Sequence, residues 1–126
     1  MYYKILQPCA DGKYWSAYGG RHTWVPGITY GPVPVEPCSS GFHACRLRDL
    51  GDWVEPGMVV FEVELTDVVE TRDKVVGSTA KLGRRLGTIT MDAYMLAVMD
   101  RPARGAADAS YLEAEGRLIL SRLVTP

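Results

Sequence analysis

Cys38, His43 and Cys45 place three soft metal donors within eight residues of chain. Thiolate and imidazole are the donors a structural zinc ion takes, four of them in a tetrahedron. Cys9 or His22 would have to supply the fourth. In an extended segment residues two apart point the same way, so His43 and Cys45 share a face and could address one ion. The C-x4-H-x-C spacing is not one of the common finger spacings. The simpler reading is therefore two small buried thiols and a hydrogen-bonded imidazole. His43 and Cys45 also invite nucleophilic chemistry, because an imidazole beside a thiol favours the thiolate. Same-face neighbours on one strand rarely aim at each other, however, and no oxyanion donor set is identifiable.

Two further patterns could carry chemistry. Glu62 and Glu64 stand two apart on one strand face, and paired carboxylates can split their pKa values for acid–base work. No reaction partner lies near them in sequence, so a solvated outer face is preferred. Met91, Tyr94, Met95, Val98 and Met99 repeat at i, i+3, i+4, i+7 and i+8, an apolar helical stripe. Three of the five are methionine. Such stripes can be adaptable binding surfaces, but gap-filling core is the commoner use and is expected here.

These residues need elements to hold them. Pro37 and Ser39-Ser40-Gly41 are turn chemistry, with Gly41 free to take φ > 0. Phe42 to Cys45 reads as extended, and Leu47, Leu50, Trp53 and Val54 then form one face of a short helix. Glu55-Pro56-Gly57 stops it. Upstream, Tyr2 to Leu6 is a strand, with Lys13 to Tyr18 as its hairpin partner after Asp11-Gly12. Residues 21 to 37 are loop-rich, with brief extended pieces at Trp24-Val25 and Ile28 to Tyr30, and long loops often carry function.

Downstream, Met58 to Leu65 alternates cleanly, Val59, Phe61, Val63 and Leu65 against Val60, Glu62 and Glu64. Val68-Val69 and Val75-Val76 suggest short strands. Lys81 to Leu86 is basic and reads as a solvated face, without a phosphate-loop pattern. Thr88 or Thr90 caps the methionine helix, and Arg101-Pro102 is expected to end it. Residues 103 to 107 read as a linker. Asp108 to Glu115 reads as a short helix capped by Gly116. Leu118 to Val124 is β-capable, or continues that helix to Leu123.

Composition narrows the classes. At 126 residues the chain is one domain large enough to fold on its own core. A net charge of −1 disfavours generic nucleic-acid binding. No apolar run approaches the ~20 residues that span a bilayer, and MYYKILQPC lacks a signal-peptide layout. A reducing cytoplasm is expected, the host's if the chain is phage-encoded. Three cysteines there are thiols or ligands rather than a disulfide framework. No sequence pattern calls for a cofactor.

The ordered set Lys4-Ile5-Leu6, Trp24 with Pro26-Gly27, Pro37-Cys38, Gly41-Phe42-His43-Ala44-Cys45, Leu50 and Trp53, Val60 to Glu64, Asp73 to Val76 and Lys81-Leu82 resembles an uncharacterised family. Its members are small domains of bacteria, especially actinobacteria, and of their bacteriophages. The resemblance covers residues 3 to 99, implies a bacterial or phage origin, and brings no activity with it.

A more distant similarity is to the second block of the ADP-ribosyltransferase superfamily. It implies that Phe42 to Cys45 border a nicotinamide pocket, that Tyr3-Lys4 lie in the first strand, and that Asp73 sits near the usual catalytic glutamate. The first block departs from that pattern, lacking the expected His or Arg followed by Gly.

The expected architecture is a single α+β domain, a small, mainly antiparallel sheet flanked by about three short helices. Residues 1–100 would form its core and 101–126 an extension or arm. Candidate binding residues are Trp24, Tyr30, Phe42, His43 and Cys45, and His43 and Asp73 are the catalytic candidates. Three functions follow. The first is a non-catalytic binding or accessory protein working through a protein partner or self-association, without membrane or nucleic acid. The second is a virion component, associated with a capsid or tail. The third is an NAD-binding enzyme of ADP-ribosyltransferase type, active or degenerate.

Overall fold

A computed structural model describes residues 1–16, 22–36 and 40–125. Its architecture grows from β6, Val59–Thr66, whose alternation sends Val59, Phe61 and Val63 to one face and Val60 to the other. Strand β1, Tyr2–Pro8, pairs antiparallel along one edge of β6, with Lys4 opposite Phe61. The long β9, Thr79–Thr88, pairs antiparallel along the other edge. The pairs β1–β2 (Tyr14–Ser16) and β2–β3 (Thr23–Trp24), and the pair β9–β4 (Thr29–Tyr30), complete an antiparallel sheet of order β3-β2-β1-β6-β9-β4. A second antiparallel sheet, of order β5-β8-β7, is built from β5 (Phe42–Ala44), β7 (Val69–Glu70) and β8 (Val75–Gly77). With three α-helices added, the chain is a small single-domain α+β fold.

The six-stranded sheet buries both faces. Leu6, Trp24, Ala44, Phe61, Val75 and Leu82 fill the space between the two sheets, with Tyr2, Tyr14, Tyr30 and Phe42 packed around them. On the opposite face lie α1 (Leu50–Trp53), α2 (Met91–Arg104) and α3 (Ala109–Ser121) over Ile5, Val60, Leu86 and Ile89. Two register shifts between β6 and β9 act as bulges. The one between the Val63–Leu82 and Phe61–Arg85 pairs changes the parity of β9, so Leu82 serves one core and Leu86 the other, and the second restores it. Glu62 pairs with exposed Arg84 at 3.0 Å, and Glu64 is exposed. The two glutamates thus belong to a largely polar outer stretch of sheet.

The segment after Gly41 follows its turn–strand–helix pattern. Gly41 has φ +104°, and an added Cβ would press on the Val76 side chain, so glycine is required on both counts. Leu47, Leu50, Trp53 and Val54 all join the helix-side core, in a 3-10 turn over Leu47–Asp49 that runs into α1. Asp49, 3% exposed, holds the turn by accepting the Arg46 backbone N–H (2.9 Å) and the Arg46 Nε (2.8 Å). The Arg46 Nη2 reaches on to the carbonyls of Thr71 and Arg72, and the Trp53 indole N–H donates to Asp73 O at 2.8 Å. The β7–β8 loop is thereby tied to α1.

Several helix expectations are corrected. Met91, Met95 and Met99 are 60%, 42% and 76% exposed, while Ala93 and Ala97 carry the buried face of α2. The methionine stripe is an outer surface. Pro102 lies inside α2, which continues to Arg104. Gly116 does not cap a helix: α3 runs through it to Ser121, and a methyl group there would overlap the Leu47 carbonyl. Residues 101–126, read from sequence as an extension or arm, supply Ile119 to the helix-side core, and Val124 bridges Thr88.

Candidate functional site

Two places concentrate side chains with chemical potential. The first lies between the sheets. Alternation along β1 turns Lys4 the same way as Tyr2 and Leu6, towards the smaller sheet. Its ammonium donates to His43 O at 2.5 Å and stands 5.5 Å from the Trp24 ring centroid. Burial pulls its pKa down to about 8, and no carboxylate pairs with it among the described residues. His22 packs edge-on against Trp24, Tyr30 and Phe42 at centroid distances of 4.6, 4.5 and 5.8 Å. Its Nε2 is buried without a hydrogen bond among the described residues. Burial first, and the Lys4 charge second, lower its pKa and favour the neutral ring.

Trp24, Tyr30 and Phe42 are mutually in ring contact, so the structure unites three of the five binding candidates. Trp24 itself is 2% exposed and donates its indole N–H to Ser16 Oγ at 2.8 Å, whereas Tyr30 and Phe42 are half-buried. His43 lies on β5 facing away from Phe42 and Ala44. Its pKa is lowered by burial and then by the Lys4 and Lys74 charges. Cys45 goes to the opposite core, where its thiol donates to Tyr3 O at 3.5 Å. Burial pushes that thiol well above its ordinary range, with the Asp49 charge adding to the shift. An activated thiolate needs the reverse, so Cys45 is a packing residue.

The metal expectation gains no set of ligands. Among the described residues no group of three His, Cys, Asp or Glu side chains is placed to hold an ion. Cys9 is exposed, Cys45 is buried, and Cys38 lies outside the described residues. Asp73 stands in the β7–β8 loop, its backbone carbonyl held by Trp53. Lys4 and His22 were not singled out together by sequence. The available signal was a lysine at an inward position between Tyr2 and Leu6.

The second place is a groove of about 530 Å³ between α2 and α3. Thr90 caps α2 by accepting the Ala93 N–H at 3.1 Å, and Asp108 caps α3 by accepting the Tyr111 N–H at 2.9 Å. Between these fixed helices Met95, Leu96, Met99 and Leu118 line an apolar channel, with Asp92, Asp100 and Glu115 around it. Arg122 lies at one end and pairs with Asp92 at 3.3 Å. Arg104 joins Glu115 to Asp52, and the Tyr111 hydroxyl donates to one oxygen of Asp100. Among the described residues no helix is long and apolar enough to cross a membrane. No family model matches the chain, and neither a curated protein nor a solved structure matches it.

Proposed function

We propose that this chain is a non-catalytic binding protein that acts through protein–protein contact at the α2–α3 groove. One observation carries the reading. Three methionines on one face of α2 stay 60%, 42% and 76% exposed, two of them (Met95 and Met99) lining the groove, although the same helix buries two alanines on its other side. Methionine is flexible and polarizable, which suits a surface that adapts to a partner. The test compares tagged wild type with a Met95→Ser/Met99→Ser double variant of unchanged thermal stability, each crosslinked in lysate of the source cell. Proteins held by the wild type and released by the variant are expected in mass spectra. Identical retention by both overturns the reading. If the retained partner is a capsid or tail protein, and the chain itself is found in purified particles, the accessory role becomes a virion one.

A second reading has its own observation. Lys4, Phe42 and the His43 carbonyl meet between the sheets, where the resemblance to ADP-ribosyltransferases implies a nicotinamide pocket. Thermal shift against NAD tests it. A shift that disappears in Phe42→Ala supports NAD binding, and no shift with NAD removes it.

A further inference from the structure

The groove reading can be taken further, to the chemistry of what fills it. Glu115 lines the groove, is only 6% exposed, and gives one carboxylate oxygen to Arg104. Its other oxygen, Oε2, is buried and makes no hydrogen bond among the described residues. Asp100 repeats the arrangement across the groove: Oδ1 accepts from Tyr111, while Oδ2 is buried and has no hydrogen-bond partner among the described residues. A buried carboxylate oxygen without a donor costs free energy, and an incoming N–H recovers it. The cation lining the groove, Arg122, already pairs with Asp92. Among the described residues the groove is thus lined by three carboxylates, Asp92, Asp100 and Glu115, against one guanidinium, and its charge is net acidic.

We infer that the groove takes an amphipathic helix of another protein, with an apolar stripe against Met95, Met99 and Leu118 and a lysine or arginine directed at Asp100 and Glu115. This rests on the groove being the binding surface at all. A helix fits because the methionines recur every four residues, the spacing that meshes with the i, i+3/i+4, i+7 anchors of a partner helix. A second copy of this chain fits poorly. A two-fold contact brings the same patch against itself and would set Asp100 and Glu115 near their own equivalents.

The experiment uses the full chain and a labelled synthetic helical peptide of about 15 residues, with leucines on one stripe and lysines flanking it. A second peptide carries glutamates in place of the lysines. Anisotropy titrations are expected to show the basic peptide binding about tenfold or more tighter than the acidic one. Asp100→Asn should shrink that ratio, and Met95→Ser/Met99→Ser should weaken both peptides. Equal affinities, or no binding by the basic peptide, overturn the inference. Should the methionine variant still release cellular proteins in the crosslinking comparison, the binding surface stands and only its proposed occupant falls. Concentration-dependent dimerisation that the methionine variant abolishes, seen by sedimentation, would make a second copy the occupant and likewise overturn it.

Discussion

The two faces of the six-stranded sheet are covered by opposite means. Over one, the smaller sheet lies on large side chains: Trp24, Leu6, Leu82, and Phe61 with Tyr14 edge-on at 4.7 Å. Over the other, α2 comes in on its smallest residues, Ala93 and Ala97, and α3 meets the Leu47 turn through Gly116. Both regions must reach the same interior packing density, so the difference is where the volume sits. Stacked sheets stand about 10 Å apart and need rings to fill the gap. A helix that approaches on alanine has its bulky residues left on the outside. The first face is thus a filled core with a cation held in it, and the second is a tight core with apolar surface left over.

Substitutions can break or sharpen this contrast. The largest effect is expected on the ring-filled side. Trp24→Ala should cost ~4 kcal/mol in denaturant unfolding, because its cavity is walled by rigid rings and strands. A loss near that of a surface change would mean that the cluster is not a core. On the helical side the sensitive position is the smallest residue. Gly116→Ala should cost about 2 kcal/mol, since the methyl group meets the Leu47 carbonyl. An unchanged midpoint would show that α3 does not sit this close.

Lys4 offers a test by pH. Its pKa is about 8 in the fold against an ordinary 10.5, so below pH 8 both states are charged and burial of that charge opposes folding. As pH rises through 8 the native state sheds its proton before the unfolded chain does, and stability rises. The gain should be about 1 kcal/mol between pH 7 and 8.5, present in wild type and absent in Lys4→Met. Cys45 has the opposite sign, since its raised pKa keeps the native thiol protonated while the unfolded one ionises. Its stabilisation fades above the ordinary thiol range, which is why the comparison stops at pH 8.5. A flat wild-type profile would place Lys4 in a wetter site. The smallest effect is expected for Met99→Ser, within about 0.5 kcal/mol, as befits an exposed side chain. A large loss would return the methionine stripe to the core.

Period-two patterns were legible at once. Val59, Phe61 and Val63 alternate as a strand buried on one face must, and the Leu47, Leu50, Trp53 and Val54 face points inward as its spacing implies. Helix faces were harder. The α2 sequence carries one stripe of methionine and another of alanine. Hydrophobicity ranks methionine higher, but the neighbouring sheet and α3 admit only the smaller side chain. Gly116 misled similarly, because glycine serves both a helix cap and a close crossing. Of the candidate site residues, Trp24 and Tyr30 were foreseeable as large rings in a loop-rich stretch, and Phe42 as the ring of a short extended segment. Their convergence on His22 and Lys4 was not, since β1, β3, β4 and β5 meet only through long-range pairing.

The order of amino acids was enough to settle an α+β chain, with strands that alternate, turns at glycine and proline, and helices that start at Thr90 and Asp108. Which side of each helix turned inward, and which distant rings came to surround Lys4, depended on the assembled fold. Alternation and capping act between residues near in sequence, whereas the space left beside a packed sheet is set by every element around it.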